Sequence, residues 1–260
     1  MEPAGGRVVF KSLTKDLGSF KIDSITEVVP EGSCYAFLGG TGSGKTLIMK
    51  MAAGLMLPDS GSVVIEIPME NGKAVITISS EGVSFSVGEK VHSIYEGEYW
   101  RNVAYISQKG ALISNMSALD NILLPLKYHG VEMDVNLKKF LSDFGIIHIV
   151  DRMPPALTVG ERKLVALART YLLFPRILFF DEPFESVDVL YERKIKTVLS
   201  ELKRRGTTVI ITTNSPVHLK GFADKIGVIL FGRMVVSGTY DELSKSMDPV
   251  VRSFFEEIPV

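Results

Sequence analysis

A chain of 260 residues, 46% of them hydrophobic, can bury a substantial core, which excludes a disordered polymer. Its formal net charge of −1 provides no basic field, so no nucleic-acid partner is expected. The single cysteine, Cys34, cannot form an internal disulfide and lies in an apolar run, where a small buried hydrophobe in a reducing compartment is expected.

Met1 to Phe10 shows no basic segment followed by an apolar one, so no secretory signal is read there. Arg7 to Ile25 alternates loosely and breaks at Gly18, predicting short antiparallel strands. Cys34 to Leu38 is a buried strand, and Leu47 to Leu57 has helical spacing. Pro58-Asp59-Ser60-Gly61 is a turn before a strand at Ser62 to Ile67. A hairpin signal at Glu70-Asn71-Gly72-Lys73 leads into the β-branched run Ala74 to Ile78. A polar, glycine-dotted segment continues to Trp100, so this region reads as an antiparallel β lobe. Asn102 to Ile106 returns to the core, and Leu119 to Tyr128, Leu137 to Phe144 and Gly160 to Phe174 predict a helical lobe. Ile177 to Phe180 and Thr207 to Thr212 read as buried parallel strands around a long helix from Glu185 to Arg205. Lys225 to Leu230 and Met234 to Ser237 form a closing strand pair. The stretches Val165 to Leu173 and Ile177 to Phe180 are too short and too interrupted, by Arg169, Pro175 and Arg176, to span a bilayer.

Between the first buried strand and the first helix stands Gly39-Gly40-Thr41-Gly42-Ser43-Gly44-Lys45-Thr46, a G-x-x-x-x-G-K-[ST] loop. Glycines let backbone N–H groups turn inward around a phosphate, and the helix adds its positive end. Lys45 reaches the terminal phosphates and Thr46 offers a hydroxyl to Mg²⁺. The strand and helix flanks make this a nucleoside-triphosphate site. Asp181 ends the apolar strand Ile177 to Phe180, where open α/β sheets place ligands, and Glu182 follows it. Asp181 is suited to hold Mg²⁺ and Glu182 to polarise a water toward the γ-phosphate.

With these motifs in place, the chain resembles the ATP-binding-cassette (ABC) ATPases over nearly its whole length, with the markers in the family's order. Gly39 to Thr46 is similar to the Walker A loop, Gln108 to the Q-loop glutamine, and Leu157-Thr158-Val159-Gly160-Glu161 to the signature. Ile177 to Pro183 is similar to Walker B with its glutamate, and Ser186-Val187-Asp188 to the D-loop. The resemblance implies an α/β P-loop NTPase with a mainly parallel core sheet and an α-helical lobe, while the span from Thr46 to Gln108, longer than a usual cassette has there, implies an enlarged antiparallel β lobe. It implies one domain over 1–260, with core and β lobe at about 1–110 and 175–260 and the helical lobe at about 111–174. It further implies ATP and Mg²⁺ as ligands, with Thr46, Gln108 and Asp181 at the metal and Glu182, Gln108 and Asn214 at the reacting phosphate. A second cassette, identical in the simplest case, would present Thr158, Gly160 and Glu161 to the nucleotide across an interface.

Departures from the family pattern carry their own expectations. Glu161 replaces a glutamine and Val159 a glycine, so a carboxylate is expected close to the nucleotide at the interface, weakening closure. Asn214 stands where the family has histidine; it can hydrogen-bond a phosphate but cannot carry a positive charge. None of His92, His129, His148 and His218 falls on that slot, so each is read as structural or surface. No ring matches the usual adenine-stacking place near Lys15 to Gly18, and Phe20 is the remaining candidate, with core packing its plainer reading. Slow but real ATP hydrolysis is expected. The run Lys109 to Ile122 with Leu124-Pro125-Leu126, and Asp248 to Phe255 near the other end, resemble the ATPases of Mla/MCE-type lipid transport systems. That implies membrane permease subunits, an MCE-domain partner, and a cytoplasmic chain held at the inner face of the membrane through the permease. A soluble or regulatory ABC ATPase, or a slowly hydrolysing ATP-dependent clamp, is the alternative. Leu112, Ile113, Met116 and Leu119, beside the Q-loop, are expected to leave Met116 and one neighbour partly exposed for a permease helix.

Overall fold

The computed structural model describes residues 5–69, 72–88, 90–92, 102–130 and 136–256. Its described strands form two six-stranded sheets. The first is an antiparallel meander of β1 (Arg7–Asp16), β2 (Lys21–Val29), β4 (Ser60–Met69), β5 (Gly72–Ser79), β6 (Gly82–Val87) and β7 (Lys90–His92), in the order β2-β1-β4-β5-β6-β7. The second is built on β3 (Cys34–Leu38), β8 (Val103–Ile106), β9 (Ile177–Phe180), β10 (Thr208–Thr213), β11 (Lys225–Leu230) and β12 (Arg233–Gly238), ordered β12-β11-β3-β10-β9-β8. In it only β12 runs antiparallel to its neighbour.

The period-2 side-chain alternation of the core sheet divides its residues between two hydrophobic clusters. Cys34, Ala36 and Leu38 of β3, with Leu178 and Phe180 of β9, pack toward the helices. Tyr35 and Phe37, with Ile177 and Phe179, pack toward the antiparallel sheet, where Phe10 meets Phe37 edge-on at 5.6 Å. Five consecutive buried residues in β3 and four in β9 are what a strand covered on both faces requires. Cys34 belongs to that interior; burial, with Asp224 as a lesser cause, pushes its thiol up to about 12.

The helices are α1 (Lys45–Ala52), α2 (Ala118–His129), α3 (Leu137–Asp143), α4 (Val159–Tyr171), α5 (Val189–Arg204), α6 (Tyr240–Ser244) and α7 (Pro249–Phe255). Besides α6 and α7, for which the sequence predicts no helix, and α4, which stops at Tyr171 rather than Phe174, two helices differ from the sequence expectation at an end. α1 stops at Ala52 rather than Leu57, because the chain turns left-handed at Gly54 (φ 69°) and leaves Leu55 exposed. α5 begins at Val189 rather than Glu185: Glu182 and Ser186 hold positive φ, and the Asp188 side chain accepts from the N–H groups of Leu190 and Tyr191. The hairpin expected at residues 70–73 and the polar segment up to Trp100 each fall partly outside the described residues; β4 and β5 pair antiparallel with Met69 opposite Gly72. Among the described residues no helix is long and apolar enough to cross a membrane.

Candidate functional site

β3 delivers the chain at Gly39 into a loop that α1 closes. A Cβ on Gly39 would meet the carbonyl oxygen of Ile229 at 2.3 Å, whereas Gly40 and Gly42 face open space. α1 carries no side-chain cap at its N-terminus, and the Ser43 Oγ is buried without a hydrogen-bond partner. Unspent donors, an open backbone cradle and a helix N-terminus together fit a bound phosphate chain. The loop borders a cavity of about 350 Å³, which Leu17 and Phe20 line on one side and Gln108, Glu182 and Glu185 on another.

Lys45 is buried, and its ammonium donates to the carbonyls of Gly39 (2.7 Å) and Gly40 (3.0 Å) and pairs with Glu182 at 3.2 Å. Thr46 donates to Asp181 Oδ2 at 2.8 Å, and Thr212 donates to Asp181 Oδ1 at 2.6 Å. A hydroxyl and a carboxylate held this way are oxygen donors suited to Mg²⁺. Among the described residues no group of three His, Cys, Asp or Glu could hold a metal. Glu182 is buried, its backbone N–H donates to Thr212 Oγ1, and burial raises its carboxyl pKa against the opposing attraction of Lys45.

The structure brings Gly39 to Thr46, Asp181, Glu182 and Gln108 together. The Gln108 amide donates to Glu185 Oε2, a carboxylate that the sequence reading missed, although it is the third acid within five residues. Asn214 lies exposed just beyond β10 and does not line the cavity. His218 pairs with Glu192 at 3.0 Å and stacks on Phe184, as a structural histidine would; His92 has no described side chain. Phe20 is half-buried, packs on the core beneath Gly44 and lines the cavity as well, so both readings of that ring meet in one place.

The signature segment corrects one expectation. Glu161 is turned into its own chain: it is 5% exposed, and its carboxylate accepts the Thr158 N–H in a reciprocal capping box at the start of α4. The same carboxylate faces Arg152 at 3.7 Å, His148 at 3.9 Å and the Tyr191 hydroxyl at 3.4 Å. A glutamate at the third helical position caps its own helix in preference to meeting solvent, a signal present in the Thr-x-x-Glu spacing. Gly160 is buried too, where a Cβ would meet the Tyr191 ring at 2.7 Å. Thr158 remains exposed, and none of Thr158, Gly160 and Glu161 lines the phosphate-loop cavity of its own chain.

Beside the Q-loop, Asn121 is fully buried and clips residues 113–117 by accepting from the Ile113 N–H and donating to the carbonyls of Ile113, Met116 and Ser117. The expected exposure holds: Ile113 is exposed, and Met116, Leu112 and Leu119 are half-buried. A second cavity, of about 590 Å³, lies between Gln108 to Ser114, Pro154, Pro155 and the first turns of α4.

A family model described as ABC transporter matches residues 22–185. The molybdate/tungstate import ATP-binding protein WtpC of Pyrococcus abyssi is 31% identical over 95% of this chain and 67% of its own length. The Fe(3+) ions import ATP-binding protein FbpC of Agrobacterium fabrum is 30% identical over 92% of this chain and 62% of its own. The glucose import ATP-binding protein GlcV of Saccharolobus solfataricus is 26% identical over 91% and 64%. The chain thus spans about two thirds of the length of these relatives. Among solved structures, an ATP-binding subunit of an ABC transporter superposes with a TM-score of 0.74 at 22% identity, covering 96% of this chain and 99% of that one. A dimeric ATP-binding cassette with ADP and Pi gives 0.70 at 21%, covering 90% and 98%. These two likenesses speak for the fold.

Proposed function

The chain belongs to the ABC transporter family, as an ATP-binding subunit with ATPase activity and ATP and Mg²⁺ as its ligands, and on that premise we propose that it energises import of a small polar or ionic solute. The observation that carries the first half is the pairing of buried Lys45 with Glu182 at the phosphate loop, with Thr46 and Asp181 held together beside it. Lys45 neutralises the terminal phosphates, Thr46 and Asp181 hold the cation, and Gln108 reports its presence. Bound there, Mg²⁺ would neutralise charge that develops on the phosphates. Glu182, whose raised pKa and burial suit a proton acceptor, draws the proton from the attacking water. Asn214, exposed just beyond β10 and outside the cavity lining, would give a hydrogen bond to the γ-phosphate only if the loop moved inward, so slow turnover is expected.

Thr158 and the N-terminus of α4 face away from their own nucleotide cavity, so a second cassette would supply them across an interface to complete each site. Permease subunits would hold the pair at the membrane, a reading that rests on the family and on the import systems to which the relatives belong.

Import rests on the relatives, whose printed names are those of molybdate/tungstate, Fe(3+) and glucose import systems. They lend no support to lipid transport of Mla/MCE type or to an MCE-domain partner, a reading that rests on residues 109–126 and 248–255 alone. The test is ATP hydrolysis by the co-purified membrane complex, challenged in turn with oxyanions, Fe³⁺, sugars and phospholipid vesicles. Stimulation by one of the small solutes is expected; stimulation by phospholipid alone overturns the import reading.

The half-buried Met116, with exposed Ile113 beside it, forms the apolar edge that a permease helix would cover. Met116→Glu should leave the isolated chain folded and able to bind ATP, because the side chain is not in the core. Stimulation of hydrolysis by the permease should fall at least about tenfold, the scale of burying an unpaired charge in an interface. Unfolding of the variant, or full stimulation, would remove this surface from the account.

A further inference from the structure

Lys163 lies in the second turn of α4 and is 1% exposed, yet neither the motif reading nor the proposed chemistry uses it. Its ammonium donates to the carbonyl of Glu182 at 2.6 Å and to that of Glu185 at 2.7 Å. These two carbonyls bracket the turn leaving Asp181-Glu182, in which Glu182 (φ 46°) and Ser186 (φ 57°) both hold left-handed backbone that L residues adopt at a cost. Such a conformation persists only where neighbours over-determine it. The other supports are the Thr212 hydroxyl, which accepts the Glu182 N–H at 2.8 Å, and a 3.4 Å contact from the Glu185 N–H to the Glu182 carbonyl.

We propose that Lys163 is a positioning residue for ATP hydrolysis: it pins the Glu182–Glu185 turn to the signature helix, so that the Glu182 carboxylate and the Glu185 carboxylate that holds Gln108 are set together at the nucleotide cavity. The inference rests on the reading of Glu182 as proton acceptor. Three observations support it. The contacts are to backbone oxygens, so they fix the turn's path rather than one rotamer. Glu185 lines the cavity and accepts the Gln108 amide, so a shift of this turn moves Gln108 as well. α4 also grips the other side of Gln108, since Arg169 donates to the carbonyls of Gly110 (3.2 Å) and Ala111 (3.1 Å). One helix therefore ties down both loops that meet at the terminal phosphate, and closure of a partner on the N-terminus of α4 would be felt at Glu182. Burial pulls the Lys163 ammonium down to about 8 while the carboxylates of Glu185, Glu182 and Asp181 hold it up, as expected of a cation kept for local contacts.

The test compares Lys163→Met, which keeps the stem and removes the donors, with Lys163→Gln and Lys163→Arg in the full chain. Thermal melts report the fold, and ATP affinity and Mg²⁺-ATP turnover are measured on the same preparations. In Lys163→Met, kcat should fall about ten- to a hundredfold, the cost of misplacing a reacting group by about 1 Å, with ATP affinity changed less than about threefold. Lys163→Arg should restore part of that kcat. If the methionine variant does not fold, Lys163→Gln is expected to show the same separation of kcat from affinity. An unchanged kcat in a folded variant without the donors overturns the inference, as does a loss of affinity equal to the loss of kcat. Failure of all three variants to fold makes Lys163 a residue of stability alone. Should Glu182→Gln leave kcat intact, the Glu182 reading fails instead; should it lower kcat while Lys163→Met does not, only the present inference fails.

Discussion

Replacing Lys45 by alanine is expected to weaken ATP binding by roughly ten- to a hundredfold, the equivalent of about one hydrogen bond to a charged group at about 1.5–3 kcal/mol. The ammonium is buried at the base of the loop and already faces an anion, the Glu182 carboxylate at 3.2 Å. It is the one lysine among the described residues that line the phosphate-loop cavity. Its removal takes the ammonium donor from the Gly39 carbonyl, leaves the Gly40 carbonyl with the Ser43 N–H alone and deprives Glu182 of its neutralising neighbour, so the cavity turns repulsive to a triphosphate. Isothermal titration with ATP and Mg²⁺ checks this; an affinity within about twofold of the parent would show that backbone donors alone hold the phosphates.

Glu182→Gln is expected to do the opposite: to leave ATP affinity near the parent's and to lower turnover by roughly 10²–10⁴-fold, the range for loss of a general base. Glutamine keeps the side chain's shape and still accepts a hydrogen bond from Lys45 but takes up no proton. The pH profile adds a second signature. Burial raises the Glu182 pKa, and only the ionised form accepts a proton, so kcat falls as pH drops through a value above that of an ordinary glutamate. Stability runs the other way. A folded pKa above the unfolded one contributes stability that is fully present at low pH and lost as pH rises through the raised value. An acid limb that persists unchanged in Glu182→Gln would assign it to another group.

What could be read from the chain was whatever is local along it. The phosphate loop is eight consecutive residues between a strand and a helix, and Asp181-Glu182 closes four apolar residues, so position and chemistry are written together. The two sheets followed from alternation, because β3 and β9 are apolar on both faces while β4 and β5 are apolar on one. Contacts between distant segments were not legible. Lys163 meets Glu182 and Glu185 only because α4 packs beside β9, and in sequence it is one cation ahead of an apolar run. Glu161 was misread because its neighbours in the motif drew attention outward, whereas the capping spacing from Thr158 turns it inward. The late start of α5 was missed for a related reason: Glu185 suits a helix intrinsically, and the turn pinned by Lys163 and Thr212 overrides that preference.

The most direct test of the central claim is to measure ATP affinity and Mg²⁺-dependent phosphate release on matched preparations of the parent chain, Lys45→Ala and Glu182→Gln. The site described here predicts that Lys45→Ala loses affinity, that Glu182→Gln keeps affinity and loses release, and that the parent has both. Loss of affinity and release in the same proportion in both variants would contradict it, because the two side chains would then be serving one structural purpose rather than holding and hydrolysing a triphosphate.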